Sequence, residues 1–261
     1  MTGSAAPLRL LLVHGSRLNA AAWLPLEESL LGRLVCEHLD LPGHGLEREL
    51  PFTMAGALAA VGTAVEALDP DRHRIVLAGH SLGGYVAMEW AARHHGMLEG
   101  LVLMGATAQP SSRLAGIYRA FGSALRAGLE DERRAESIRE TDASSLRRII
   151  GSRTAQAVVD RGPGLSAIPD AWDAVIDEVD LNSLVDVDAP VLAINGEYDQ
   201  FRVGESVARR LRPDLEIVHV IGATHFAPMT HPAPVARAIR AFTATLPRHR
   251  PGHPDTNYCR Q

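Results

Sequence analysis

The sequence predicts an α/β fold built on a doubly wound, mostly parallel sheet, and three observations lead there. Short, almost wholly apolar runs alternate with Ala- and Leu-rich stretches of helical character. The runs show no in-and-out alternation of polarity, as expected when helices cover both faces of a parallel sheet. A length of 261 residues with 46% hydrophobic content is enough for one large domain, or for a domain carrying an insertion.

Strands are expected at about 8–13, 34–39, 74–79, 100–104, 190–195 and 216–221. The first run leads straight into His14-Gly15, and the second is closed by Asp40-Leu-Pro-Gly-His-Gly45. The third is β-branched and apolar and stops at Gly79. The fifth ends at a Gly-rich turn, Asn195-Gly196-Glu197-Tyr198-Asp199, and the sixth just before Gly222-Ala-Thr-His225. Helices are expected at about 24–31, 54–68, 83–95, 203–211 and 232–245.

The alternation breaks between about 110 and 185, where no strand pattern occurs. Leu114, Ile117, Tyr118, Phe121 and Leu125 recur at helical spacing and define an amphipathic helix. Asp142 reads as the N-cap of a second, short helix, and Gly151 as its C-terminal stop. Asp170 reads as the cap of another, around 172–179. The expected division is therefore a core at 1–109 and 186–246, a helical cap at 110–185, and a frayed tail at 247–261 rich in Pro, His and Arg.

Composition excludes several functions. A formal charge of −5 gives no reason to expect nucleic-acid or membrane binding. No apolar run approaches the roughly 20 residues that span a bilayer. The N-terminus lacks the shape of a signal peptide, so a cytoplasmic location is expected. Cys36 and Cys259 do not make a disulfide framework, and no Cys/His cluster has zinc-ligand spacing, so no metal or other cofactor is expected. All 26 basic residues are arginine, which rules out Schiff-base chemistry and a serine–lysine dyad.

The most telling stretch is 75–85, Ile-Val-Leu-Ala-Gly-His-Ser-Leu-Gly-Gly-Tyr. It is G-x-S-x-G in the context of strand, sharp turn and helix. Such a turn strains the backbone at Ser81 and exposes its Oγ, while side chains at 79 and 83 would collide with the neighbouring strand and helix. The N-terminal N–H groups of the new helix face a developing oxyanion. The alternative is a glycine-rich turn without chemistry.

A nucleophilic serine needs a base, an orienting acid and an oxyanion hole. His225, on the loop just past the last strand, is the expected base. His219 lies inside that strand and is expected to pack or hydrogen-bond, while His231 reads as structural. Asp199 is the expected acid, with Glu197 its competitor; either could instead serve the turn through hydrogen bonds. The three candidates fall outside the carboxyl ends of parallel strands, where open α/β sheets place their sites. Their order, Ser81, Asp199, His225, also suits this architecture. Leu82 is expected to supply one oxyanion N–H and Ser16 the other, with Gly15 letting the backbone approach. His14 is expected to shape its turn, and His44 to pack its loop.

Together, His14-Gly15 with Trp23 downstream, Asp40-Leu-Pro-Gly-His-Gly45, Gly79-His-Ser-Leu-Gly-Gly84, Gly196-Glu-Tyr-Asp199 and Gly222-Ala-Thr-His225 resemble the α/β-hydrolase superfamily. The resemblance implies a Ser-His-Asp hydrolase with a helical cap. Leu18-Asn19-Ala20 with Trp23, His225-Phe-Ala-Pro and His231-Pro232 look like the pimeloyl-carrier-protein methyl ester esterases. The two opening antiparallel strands of the superfamily are not expected before the strand at 8–13, in which the chain resembles the plant methylesterase and hydroxynitrile lyase group. Those lyases carry a lysine after the catalytic histidine. Phe226 stands there in this chain, which disfavours cyanohydrin cleavage by that route.

The expected activity is hydrolysis of a carboxylic ester of a small molecule; thioesters and lactones would use the same groups. The alternatives are a lyase or cyclase whose triad acts as a base on carbon, and a ligand receptor with a vestigial triad. Leu114, Ile117, Tyr118, Phe121 and Trp172 are expected to line an apolar substrate pocket or else to pack the cap onto the core. Between 110 and 161 ten arginines face seven acids, which would suit an anionic substrate or an acidic carrier protein, or simply a solvated helix face.

Overall fold

The computed structural model describes residues 6–111 and 115–247. Six strands, β1 (Leu8–Val13), β2 (Val35–Leu39), β3 (Arg74–His80), β4 (Gly100–Met104), β5 (Val191–Gly196) and β6 (Glu216–Val220), form one sheet. Their order is β2-β1-β3-β4-β5-β6, and every neighbouring pair is parallel. The chain runs outward from β1 to β2, then returns to the other side of β1 as β3. That reversal leaves a crevice at the carboxyl ends of β1 and β3, where sheets of this kind hold ligands.

The apolar runs do what their composition requires. Leu11 and Val13 of β1 pack with Ile75, Leu77, Leu101 and Leu103 on one face, against α2 (Met54–Ala67) and α3 (Leu82–Arg93). Leu10 and Leu12 pack with Val76, Ala78, Val102 and Met104 on the other, against α1 (Leu24–Leu30) and, later in the chain, the C-terminal helix Pro232–Thr245. Each fully buried Leu or Ile contributes about 1.5–3 kcal/mol, so the two layers dominate the stability of the sheet. The edge strand β2 is less covered, and its Val35 is exposed.

Between β4 and β5 lie α4 (Ala115–Glu130), α5 (Glu132–Ile150), α6 (Ser152–Arg161) and α7 (Ile168–Glu178), then a 3-10 turn at Leu181–Val185. This helical insertion contains no strand among the described residues. Two expected caps are corrected. Asp142 lies inside α5; Asp131 is the N-cap, its carboxylate accepting from the N–H groups of Arg133 and Arg134. Asp170 sits in the first turn of α7, which starts after Ala167. Gly151 does end α5, with φ of 80°, and α6 begins at once. Leu114, Cys259 and the expected tail beyond Pro247 lie outside the described residues.

Beyond β5, α8 (Glu205–Leu211) follows a 3-10 turn at Gln200–Gly204, so the expected helix at 203–211 is split. The single turn α9 (Ala227–Thr230) leads into α10 (Pro232–Thr245). No helix among the described residues is long and apolar enough to cross a membrane.

The insertion is tied to the core by buried polar contacts. Asp40 accepts from the backbone of Ala20 and Leu46 and from Arg161 Nε at 2.7 Å. Asn19 Nδ2 donates to the carbonyls of Val158 and Gly162. Arg17 meets Asp142 at 2.7 Å, which explains why Asp142 stands half-buried in mid-helix rather than serving as a cap.

Candidate active site

Ser81 is where the sheet topology and the sequence pattern coincide. It follows β3 and precedes α3, with φ 52° and ψ −117°, a left-handed conformation that is costly for any residue but glycine. The turn is so tight that a Cβ on Gly79 would overlap the carbonyl of Gly83, and one on Gly83 would overlap the carbonyl of Val13. Helix α3 can therefore press onto the ends of β1 and β3 only with glycine at both positions. The strained serine is held by its own N–H, which donates to Met104 O at 2.8 Å, and by its carbonyl, which accepts from Gly84 and Tyr85.

Asp199 begins the turn after β5. Its carboxylate accepts from the Phe201 N–H at 2.9 Å and faces His225 Nδ1 at 3.0 and 3.2 Å. Its side chain is 1% exposed and that of His225 13%. Burial alone would raise the Asp199 carboxyl, but the hydrogen bond and charge of His225, the Phe201 N–H and the nearby His80 together hold it below the usual carboxylate range. Glu197 is spent elsewhere, accepting from the Gly222 N–H at 2.9 Å.

The loop carrying His225 is fastened to the residue beside Ser81. His80 Nε2–H donates to the His225 carbonyl at 2.9 Å, and the two rings lie 4.8 Å apart. His80 is fully buried, and its Nδ1 meets no partner among the described residues. Burial, then repulsion from His225, lowers its pKa to about 3, so the ring stays neutral.

The turn after β1 completes the crevice. A Cβ on Gly15 would lie 2.8 Å from His80 Nδ1 and 3.2 Å from Ser81 Cβ, so the backbone at 15–16 abuts the serine turn. Among the described residues the Ser16 N–H donates to no acceptor, and the Leu82 N–H is one of the orphan donors of a helix start. His14 shapes this turn: its Nδ1–H donates to Gly15 O and its Nε2 accepts from the Leu41 N–H. His44 packs its loop through Nδ1–H to Pro42 O. His219 of β6 pairs with Glu205 of α8, and His231 with the Thr230 hydroxyl.

Ser16, Ser81 and Leu82 line one cavity of about 230 Å3. Tyr85, Phe201 and Val207 form its core side, and Tyr118, Trp172, Val175 and Ile176 of the insertion form its roof. Among the described residues no charged side chain lines it. Of the residues expected in the pocket, Tyr118 and Trp172 are there. Ile117 and Phe121 are 66% and 57% exposed on α4 and do not line it, although Phe121 touches the Trp172 ring at 5.6 Å. Part of the positive excess expected between 110 and 161 is paired within the chain. Arg119, Arg126, Arg134, Arg153 and Arg161 each meet a carboxylate of this chain, and α7 adds Asp170, Asp173 and Asp177 opposite α4.

The model of the alpha/beta hydrolase family matches residues 10–238. The chain belongs to that family. A pimeloyl-(acyl-carrier protein) methyl ester esterase from Xylella fastidiosa (strain M12) is 28% identical over 259 residues, spanning 91% of this chain and 96% of the relative. Among solved structures, a thermophilic esterase from Thermogutta terrifontis with malate bound is 25% identical, with a TM-score of 0.74 over 92% of this chain and 91% of that one. E-2-(acetamidomethylene)succinate hydrolase, 24% identical, shares the fold with a TM-score of 0.73 over 92% of each chain.

Three residues of this α/β-hydrolase escaped the sequence reading. His80 occupies the variable position of G-x-S-x-G; a polar residue closing an otherwise apolar strand was the available signal. Gly105, with φ 63°, sits where a Cβ would lie 2.8 Å from the His225 ring and 3.0 Å from Asp199 Oδ2. Asn195 is buried and links Gly105, Thr107 and Glu205 by hydrogen bonds. Nothing local to Gly105 or Asn195 announces those distant partners.

Proposed function

We propose that this chain is a serine hydrolase that cleaves a carboxylic ester, thioester or lactone of a small molecule through Ser81, His225 and Asp199. The observation that supports the reading is the convergence at one sheet edge. A strained, cavity-lining serine stands beside His80, which holds the loop of a histidine already paired with a buried carboxylate.

Ser81 Oγ attacks the acyl carbon while His225 Nε2 takes its proton. Asp199 holds Nδ1–H, fixes the tautomer and stabilises the imidazolium. The N–H groups of Ser16 and Leu82 receive the oxyanion; in comparable sites one such donor contributes about 2.7–4 kcal/mol to the transition state. The tetrahedral species collapses, and His225 returns the proton to the leaving alcohol or thiol. Water, deprotonated by His225, then attacks the acyl-enzyme and releases the acid and free Ser81. The sequence of steps draws on the side chains and backbone N–H groups named and on water.

The helical insertion acts as a cap over Ser81, and its roof, apolar and uncharged among the described residues, suits a neutral acyl group. The relatives named as pimeloyl-(acyl-carrier protein) methyl ester esterases make a carrier-bound methyl ester one substrate to test beside free short-chain esters.

Ser81→Ala tests the reading. It is expected to lower kcat for a p-nitrophenyl ester by about 10⁴–10⁶ and to abolish labelling by a fluorophosphonate. Turnover within about tenfold of wild type, with an unchanged circular dichroism spectrum, removes the nucleophile assignment. Labelling without release of acid from any ester, thioester or lactone favours lyase chemistry on carbon.

A further inference from the structure

We propose that the Ser16 side-chain hydroxyl is a third oxyanion donor, aimed by Trp172 of the insertion. The inference rests on the ester-cleaving reading above and adds a group that reading does not use. The indole Nε1–H of Trp172 donates to Ser16 Oγ at 3.2 Å. A hydroxyl that accepts on one side keeps its own hydrogen for another partner. Among the described residues the Ser16 hydroxyl donates to no acceptor, yet Ser16 lines the cavity with Ser81. Gly15 brings this turn against Ser81 Cβ, so a donor at 16 lies on the side where an acyl oxygen would rest.

The surroundings raise the value of such a donor. Among the described residues no charged side chain lines the cavity, so neutral N–H and O–H groups of that lining meet the charge that develops as the acyl carbon becomes tetrahedral. A donor fixed in advance serves better than one that must turn at the moment of reaction. Two helices of the insertion do the fixing. From α7, Trp172 holds Ser16 Oγ; from α5, Asp142 pairs with Arg17 at 2.7 Å, and Arg17 keeps a left-handed φ of 59°. Trp172 is thus a positioning residue, and the cap becomes part of the catalytic apparatus as well as a roof.

The test uses the full chain and p-nitrophenyl butyrate, with melting temperatures matched. Ser16→Ala is expected to lower kcat about ten- to a hundredfold while KM moves less than about threefold. Ser16→Thr, which restores a hydroxyl, is expected within about fivefold of wild-type kcat. Trp172→Phe, which keeps a ring but removes the N–H, is expected to lower kcat alone and to lower it no further in the Ser16→Ala background. The proposal is overturned if Ser16→Ala keeps kcat within about twofold, if Ser16→Thr is as poor as Ser16→Ala, or if the Trp172 and Ser16 effects simply add. Ser81→Ala separates the two levels. A dead Ser81→Ala beside an unimpaired Ser16→Ala removes only this inference, whereas an active Ser81→Ala removes the ester-cleaving reading beneath it.

Discussion

Replacing Gly105 by alanine should damage the Asp199–His225 pair from a position that carries no functional group. Gly105 has φ 63°, and a Cβ there would lie 2.8 Å from His225 Cε1 and Nδ1 and 3.0 Å from Asp199 Oδ2. Carbon needs roughly 3.5 Å to its neighbours, so the ring and carboxylate must retreat by about half an ångström or more. The left-handed backbone adds about 1–2 kcal/mol of strain for a non-glycine residue. For a domain of this size that strain lowers the melting temperature by roughly 2–8 °C. If His225 is the base, as proposed, shifting its ring by such a distance costs about 10- to 100-fold in kcat. Gly96 is the control: its φ is 71°, and nothing lies within 4 Å of a Cβ built on it. Gly96→Ala should therefore lose similar stability and keep its turnover. Ester kinetics and thermal melts on both variants decide the matter. Equal kcat for the two, or wild-type kcat for Gly105→Ala, would refute the argument from overlap.

Asp199→Asn should lower kcat by about 10⁴ without unfolding, because the amide cannot hold the reactive tautomer, while Glu197→Gln should lose only a turn hydrogen bond. The reverse ranking in steady-state kinetics would reassign the acid. His14 and His80 are buried and neutral, each with its pKa lowered to about 3, so the unfolded chain binds protons there that the folded chain refuses. Stability from these two is full above the unfolded histidine value, near 6.5, and is lost as pH falls toward 3, by up to about 3 kcal/mol per pH unit. Urea melts between those limits that show no loss of stability would contradict the neutral assignment. Tyr118→Ala should change the relative kcat/KM among acyl chain lengths, and Ile117→Ala should not, since only the former lines the cavity. Equal shifts in the two would mean that α4 presents a different face to substrate.

The strands were legible because burial on both faces leaves a local mark. Leu10 and Leu12 face one helical layer and Leu11 and Val13 the other, so no position in β1 beyond its first residues could be polar. Helix starts inside the insertion were less legible. Asp142 and Asp170 satisfy the local rule for an N-cap, yet each lies within its helix. Asp142 is held there by Arg17, a partner 125 residues away, and Asp170 by Arg126 of α4. A cap rule weighs only the nearest backbone N–H groups. It has no access to an arginine that folding brings to the same carboxylate.

The same distinction separates the parts of the candidate site. Ser81, Asp199 and His225 could be singled out because each stands where a strand ends and a turn begins, and a turn has local sequence requirements. The cradle around them has none. Gly105 is needed because of His225, 120 positions later in the chain, and His80 because its Nε2–H must hold that same loop. Trp172 reads locally as one more apolar residue on an amphipathic helix, yet its indole N–H reaches Ser16 across 156 positions. Packing sets these residues, and packing is a property of the whole sheet edge. That is why substitutions at Gly105 and Trp172, rather than at the serine itself, are the sharper tests of how this chain organises its chemistry. Loss of Ser81 would follow from any serine mechanism, whereas loss at those two positions follows only from this arrangement.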